Sequence, residues 1–357
     1  METDFQTKMM TIEDGLDEAV KLLRQGEVVA FPTETVYGLG ANALDSKACQ
    51  KIFTIKGRPA DNPLIVHIAS VADAQKIVLE WTDAAKACAE AFWPGPLTLV
   101  LPKSEIVPDI VSAGLNTVAV RMPAHPAALE LIRTAGVPLA APSANISGKP
   151  SPTEGKHVWQ DLKGRIPLVI DAGKCSVGLE STVLDLSGKI PVILRPGGVT
   201  REQLRAVLGK VEIELGVEDG REVLGQPRSP GMKYRHYAPD GEMILLKSQD
   251  QKKAEKIAEW VSHKKSGDKI ALLCMEETVA MLSVQELDQI DFLFVLGSVQ
   301  RPQEAASHLF GALRKCDEEK INCILAEELP EEGIGLAFMN RLKKAAGKNK
   351  FTDPEKV

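Results

Sequence analysis

The stretch from Arg221 to Asp240 constrains the architecture more than any other part of this chain. REVLGQPRSPGMKYRHYAPD carries three prolines, two glycines, four basic side chains besides His236, and two tyrosines. Proline fixes φ and removes a backbone donor, so this composition reads as an extended connector, neither a helix nor a core strand. The 357 residues exceed the length at which one hydrophobic core keeps growing, and the connector marks where they divide. The expected plan is a large domain over residues 1–208, an extended linker over 209–241, a smaller domain over 242–347 and a tail over 348–357.

The two sides of the connector differ in rhythm. Before it, Ile12 to Gln25 and Ser46 to Lys56 have helical spacing, and Val71 to Phe92 reads as mostly helical until Trp93-Pro94-Gly95-Pro96 ends it. Short apolar runs closed by turn chemistry alternate with them: Glu27–Phe31, Leu64–Ile68, Leu97–Leu101, Val118–Arg121, Pro138–Ala141, Leu168–Ile170, Ser181–Asp185 and Val192–Arg195. Some of these runs have no helix between them, so not every strand pair can be parallel. The pattern predicts an open α/β sheet. After the connector, strand-like Met243–Leu246, Lys269–Cys274, Phe292–Leu296 and Cys323–Ala326 alternate with helical Lys252–His263, Pro302–Lys315 and Ile334–Ala346. That is the rhythm of a small doubly wound α/β domain.

Charge narrows the function classes. The net charge is −6, and residues 1–200 carry 19 Lys and Arg against 22 Asp and Glu, so no basic half is hidden by an acidic one. Bulk electrostatic gripping of nucleic acid is disfavoured, while a local cationic pocket stays open. The six cysteines form no CxxC pair and no cluster with histidine at zinc-ligand spacing. They read as small hydrophobes of a reduced protein. The start of the chain lacks the apolar core of a signal peptide, and no apolar run approaches a membrane span. The expectation is a soluble, cytoplasmic protein.

Ile55 to Ile68, IKGRPADNPLIVHI, pins Lys56 and Arg58 between Gly57, Pro59 and Pro63 directly ahead of a strand. A solvated surface charge needs no rigid backbone, whereas a site for several phosphate oxygens needs charges held before the ligand arrives. A turn that merely carries two cations is the plain alternative. Other strand ends carry matching polar groups: Pro32-Thr33-Glu34-Thr35-Val36-Tyr37-Gly38-Leu39-Gly40, Pro142-Ser143-Ala144-Asn145-Ile146-Ser147-Gly148 and Arg195-Pro196-Gly197-Gly198. Hydroxyls, an amide and an arginine beside glycine or proline suit phosphate and ribose, although Ser-x-Asn is also ordinary cap chemistry. In open α/β sheets such loops converge beyond the carboxyl ends of strands.

Familiar motifs are missing. There is no GxxxxGK[ST], HExxH or GxSxG, so a covalent serine or cysteine mechanism has no support. Gly38-x-Gly40-x-x-Ala43 fits the dinucleotide fingerprint formally, but Pro32 to Thr35 separate the strand from the first glycine. Taken singly, His67 reads as a structural histidine, Arg121 as an ion-pair partner and Ser181 as a strand-start hydroxyl.

In order, FPTETVYGLG, KGRPADNPLIVHI, AVRMPAHP, APSANISGKPSPT, GLESTVLDL and ILRPGGVT resemble the YrdC/Sua5 family. The connector SPGMKYRHYAP and the trailing α/β domain resemble the longer Sua5 subtype. The resemblance implies a YrdC-like twisted open sheet with a concave cationic cavity, followed by a smaller Rossmann-like C-terminal domain. The implied activity is synthesis of L-threonylcarbamoyladenylate and pyrophosphate from L-threonine, bicarbonate or CO2, and ATP. The product would serve threonylcarbamoylation of adenosine 37 in tRNAs that read ANN codons.

Carried over residue by residue, the family's nucleotide contacts fall on Arg58, Asn62, Thr117, Ser143, Ser151 and Arg195, with Lys56 and Asn145 in the same shell. Lys56 and Arg58 would be the residues that act on the phosphates. The connector's His236-Tyr237-Ala238-Pro239, with Tyr234, would fold back over the nucleotide as a lid. The threonine contacts fall on Thr35, His67, Arg121, the backbone at Ala141, and Ser181. The resemblance implies ATP with Mg²⁺ as substrate, the metal held by the nucleotide and not by protein side chains, and no tightly bound organic cofactor. Implied partners are the small-molecule substrates and a downstream tRNA-threonylcarbamoyl transferase complex, without a membrane and without strong direct tRNA binding. Two other classes stay in view: an RNA-binding module, and a carbamoyl-adenylate-dependent transferase with another acceptor.

Overall fold

The computed structural model describes residues 5–214, 227–229, 237–247, 252–264 and 267–347. They divide into two compact units. The first comprises described residues up to Ser147, Ser151 to Glu214 and 227–229; the second comprises Gly148–Pro150 and those from Tyr237 onward.

In the first unit β1 (Lys8–Met10), β2 (Val29–Phe31), β3 (Gly38–Asn42), β4 (Ile65–His67), β5 (Leu97–Pro102), β6 (Thr117–Arg121), β7 (Leu139–Ala140), β8 (Leu168–Ile170), β9 (Thr182–Asp185), β10 (Val192–Arg195) and β11 (Glu212–Ile213) form one twisted sheet. Its order is β1-β8-β2-β3-β7-β4-β6-β5-β9-β10-β11, with parallel and antiparallel pairs mixed. The helices are α1 (Ile12–Arg24), α2 (Ser46–Lys56), α3 (Val71–Ile77), α4 (Asp83–Phe92), α5 (Asp109–Ser112), α6 (Pro126–Ala135), α7 (Gly155–Leu162) and α8 (Arg201–Leu208).

Side chains alternate across a strand, and that alternation decides where a site can form. Leu64, Val66, Val118, Val120, Leu97, Leu99, Leu184 and Ile193 point into the main core with α2, α3, α4, α7 and α8. On the other face, α1 and α6 cover Val29, Phe31, Leu139, Leu168 and Ile170. The remaining part of that face holds Ile65, Val100, Ala119, Val183 and Leu194, a cluster of strand residues alone. Residues two positions along the strands share this face, which no helix among the described residues contributes to: His67, Thr98, Thr117, Arg121, Ser181 and Asp185.

Val71 to Phe92 is mostly helical, as expected, but broken once: Val78 is extended and bridges Lys103, Leu79 N–H donates to Pro102 O at 2.9 Å, and Thr82 starts α4 by capping Ala85 N–H. Pairing with the edge of β5 outweighs helical spacing there. One expectation is corrected: Gly38 to Gly40, expected in a strand-end loop, lie instead in β3, antiparallel to β2. Its glycines make room for Phe31, because a Cβ on Gly40 would stand 2.7 Å from Phe31 Cε1. The formal dinucleotide glycines therefore lie in a strand and not in a phosphate turn.

In the second unit β12 (Glu242–Leu246), β13 (Ile270–Met275), β14 (Phe292–Gly297) and β15 (Cys323–Glu327) form a parallel sheet ordered β12-β15-β13-β14. Its helices are α9 (Lys253–Ser262), α10 (Glu276–Val279), α11 (Val284–Asp288), α12 (Pro302–Glu318) and α13 (Ile334–Ala346). Ile244, Leu246, Ile270, Leu272 and Leu325 pack on α9 and on residues beside α11. The alternate side chains face away from that cluster, and α12 and α13 contact the sheet through β12, β13 and β14. This is the doubly wound arrangement expected.

Candidate active site

Lys56 is the last residue of α2. Asp45 caps the helix start by accepting from Lys47 N–H at 2.8 Å and Ala48 N–H at 3.2 Å, and Gly57 ends it in the left-handed region at φ 59°. This fixed end holds a lysine that is only 2% exposed. Its Nζ donates to the carbonyls of Ser143, at 2.6 Å, and Asn145. Ser143 Oγ in turn donates to Asn145 Oδ1 at 2.5 Å. Three residues singled out from two distant segments thus form one cluster. Arg58 is half-buried and donates to the carbonyls of Asn62 at 3.3 Å and Pro63 at 3.0 Å, which steadies the loop entering β4. Asn62 is buried, and its Oδ1 accepts nothing from the described residues.

A second cluster forms around Ser181. Val192 and Leu194 share the helix-free face, so strict alternation would turn Arg195 away from it. The register shifts between Ile193 and Arg195, and such a bulge re-aims a side chain. Arg195 Nε and Nη2 donate to Ser181 O at 3.1 and 2.9 Å, and Nη2 reaches Ser181 Oγ at 3.1 Å. Ser181 Oγ also shares a hydrogen bond with Thr98 Oγ1 at 2.7 Å. Gly197 permits the close approach behind it, since a Cβ there would stand 2.3 Å from the Ser181 carbonyl carbon. Ser151, fully buried, donates to Glu180 Oε1 at 2.6 Å.

The third cluster centres on Arg121, which pairs in register with His67 on the parallel strand β4. Its Nη1 donates to Thr35 Oγ1 at 2.8 Å and its Nε to Gly95 O at 3.3 Å, while Nη2 stands 2.7 Å from Glu34 Oε1. The Pro32–Tyr37 segment is built to present Thr35: Thr33 Oγ1 donates to Val36 O and accepts from the N–H groups of Thr35 and Val36. His67 is buried against Phe31, edge to face at 6.0 Å. Burial, helped by the positive Arg121, holds its imidazole down at about pKa 3, so it is neutral at physiological pH. Ala141 N–H is committed to Ile65 O at 2.9 Å.

The strand registers also place Thr117. Ile65 opposes Ala119 and His67 opposes Arg121, so Thr117 lies beside the entry of β4, where Arg58 to Pro63 arrive. It shares a face with Arg121 but stands about 13 Å away along the strand. Of the candidates, His67, Thr117, Arg121 and Ser181 thus lie on one face of the sheet, with Thr117 at the opposite end of β6 from Arg121. Two carboxylates in these clusters, Glu34 and Glu180, were not singled out from the sequence; one lies inside PTETVYG and the other inside GLEST.

Tyr237, expected in the lid, is described within the second unit. There its ring packs on Phe310 at 5.0 Å, with the Arg341 guanidinium 5.8 Å from its centroid. Tyr234 and His236 lie outside the described residues. All six thiols are free, and burial pushes each up to between about 11 and about 12. Among the described residues no helix is long and apolar enough to cross a membrane, and no group of three or more His, Cys, Asp or Glu is placed to hold a metal ion.

Residues 21–197 match the family of Sua5, YciO and YrdC proteins described as "Telomere recombination", and residues 199–347 match "Threonylcarbamoyl-AMP synthase, C-terminal domain". The threonylcarbamoyl-AMP synthase of Bacillus subtilis is 46% identical over 345 residues, 96% of either chain. That of Pyrococcus abyssi is 49% identical over 330 residues, 92% of this chain and 93% of its own. The chain belongs to the threonylcarbamoyl-AMP synthase family. The crystal structure of Pyrococcus abyssi Sua5 complexed with L-threonine superposes with a TM-score of 0.89 at 47% identity, covering 97% of this chain and 99% of that one. The family likeness thus spans both units, and the Sua5 C-terminal match sets the chain apart from family members that cover only about half of it. One such relative is a putative threonylcarbamoyl-AMP synthase of Mycobacterium tuberculosis, aligned over 55% of this chain.

Proposed function

We infer that this chain is an enzyme that makes threonylcarbamoyl-AMP and pyrophosphate from L-threonine, bicarbonate or CO2, and ATP. The product would feed the threonylcarbamoyl modification of adenosine 37 in tRNAs reading ANN codons. The observation that carries the reading is the Arg121 corner: a buried guanidinium fixed by Thr35 and Gly95, beside a neutral His67, on the helix-free part of the sheet. A planar cation held in that way suits the carboxylate of an amino acid, and the relative of like fold was crystallised with L-threonine.

In this reading the threonine amine and CO2 give a carbamate, whose oxygen attacks the α-phosphorus of ATP while pyrophosphate leaves. The reaction asks for positioning and charge neutralisation more than for a protein nucleophile, and the six protonated thiols offer none. Arg121 forks onto the threonine carboxylate, with Thr35, His67 and Ser181 around its amine and hydroxyl. Lys56, Arg58 and Arg195 offset phosphate charge, and Asn62, Thr117, Ser143, Asn145 and Ser151 hold the remaining nucleotide. Mg²⁺ arrives on the phosphates of ATP, and the product passes to a tRNA-threonylcarbamoyl transferase. Mass spectrometry of a reaction with ATP, bicarbonate and threonine tests this. An AMP adduct of the right mass that disappears when any one substrate is omitted supports the reading, and its absence refutes it.

A further inference from the structure

One charged group of the Arg121 corner has no part in that scheme: the carboxylate of Glu34. It is 6% exposed, lies in the segment joining β2 and β3, and stands 2.7 Å from Arg121 Nη2. The contact is an ion pair without a directed hydrogen bond, since neither oxygen of Glu34 accepts one from the described residues. An ionised carboxylate has room for about four donors, and burying it without them is unfavourable.

Arg121 does not need Glu34 for its orientation, because Thr35 Oγ1 and Gly95 O already engage Nη1 and Nε. The backbone beside Glu34 is also settled, its carbonyl accepting from Val177 N–H at 2.7 Å. The other titratable groups facing the carboxylate are His125, at the start of α6, and Cys175. Burial holds His125 below its usual range and pushes the Cys175 thiol up to about 12, so neither brings a charge near neutral pH. A buried cation and a buried, donor-poor anion thus stand side by side. An α-amino acid carries the opposite pair on two groups bonded to one carbon.

We propose that Glu34 receives the α-ammonium of the amino-acid substrate, so that Arg121 and Glu34 together read the two charged ends of the zwitterion. The proposal rests on the reading of this corner as the threonine site. It assigns selection for amino acids over hydroxy acids to one residue that the family motif contains but the scheme above leaves idle. The ammonium's three N–H groups supply the donors Glu34 lacks, and its charge balances the carboxylate beside the fixed Arg121.

The test compares binding of L-threonine with that of 2,3-dihydroxybutanoate of the same configuration, which has a hydroxyl in place of the ammonium. Calorimetry on the full-length protein and on E34Q reads both affinities without turnover. The wild type is expected to prefer threonine by about tenfold or more, the discrimination of a charge-assisted hydrogen bond. E34Q should bring the two ligands within about twofold by losing affinity for threonine alone. Equal binding of both ligands by the wild type overturns the proposal whether or not E34Q folds. A parallel loss for both ligands in E34Q also overturns it, because Glu34 would then serve only to hold Arg121. If the wild type binds neither ligand, the threonine reading of the corner itself fails, and this proposal with it.

Discussion

Stability below neutral pH tests whether His67 is as buried and uncharged as the structure shows. An unfolded histidine takes a proton near pH 6.5, whereas His67 in the folded protein stays neutral down to about pH 3 because burial and Arg121 oppose its charge. Between these values the unfolded state binds one more proton, so stability is full above pH 6.5 and falls as the pH drops toward 3. The slope is about 1.4 kcal/mol per pH unit, and from pH 7.5 to pH 5 this residue alone costs about 2 kcal/mol. Glutamine cannot titrate, so H67Q should lose about 2 kcal/mol less than the wild type over the same interval. Urea unfolding of both proteins at the two pH values measures it. Other titrating groups, including the half-buried His125, are common to both chains and cancel in the difference. If the two proteins lose stability equally, His67 is solvated or charged in the folded state, and its role as a neutral partner for substrate falls too.

Four further outcomes follow from the geometry. K56M keeps the buried stem but takes the ammonium from the carbonyls of Ser143 and Asn145; it should cost about 1–3 kcal/mol per carbonyl and abolish stabilisation by ATP. A retained ATP-dependent melting shift would remove Lys56 from the phosphate site. R121K loses the planar fork, so KM for threonine should rise about tenfold or more while KM for ATP stays within about twofold; equal effects on both would count against a threonine-specific corner. G40A puts a Cβ 2.7 Å from Phe31 Cε1 and should destabilise by about 1–3 kcal/mol, which an unchanged urea midpoint would contradict. Iodoacetamide at pH 8 should leave activity intact, since burial holds the thiols at about 11 to 12; rapid inactivation would show a thiol in use.

Much of the site is legible in the amino-acid sequence because its signals are local. Gly57 and the prolines around Arg58 announce a stopped helix and a stiff turn, and the structure finds Lys56 fixed at that helix end. The strand and helix rhythm after the connector is likewise local, and the four parallel strands appear where it places them. Local reading failed where a distant partner decided the outcome. β3 looked like a loop because glycine is a poor strand former, yet Phe31 across the sheet requires glycine at Gly40. The break between α3 and α4 depends on Pro102 and Lys103, more than twenty residues away.

By itself, then, the amino-acid order determined which residues carry charge, which turns are rigid and where two α/β rhythms part. It could not say which of two strand faces stays free of helices, since alternation marks two faces without ranking them. That choice follows from strand order and register, which bring Thr117, Arg121, His67 and Ser181 onto the part of that face that α1 and α6 do not cover. The bulge that turns Arg195 toward Ser181 and the pairing of Glu34 with Arg121 are likewise tertiary decisions. Both depend on contacts between segments tens of residues apart or at a single shift in register, and neither leaves a mark in the local sequence pattern.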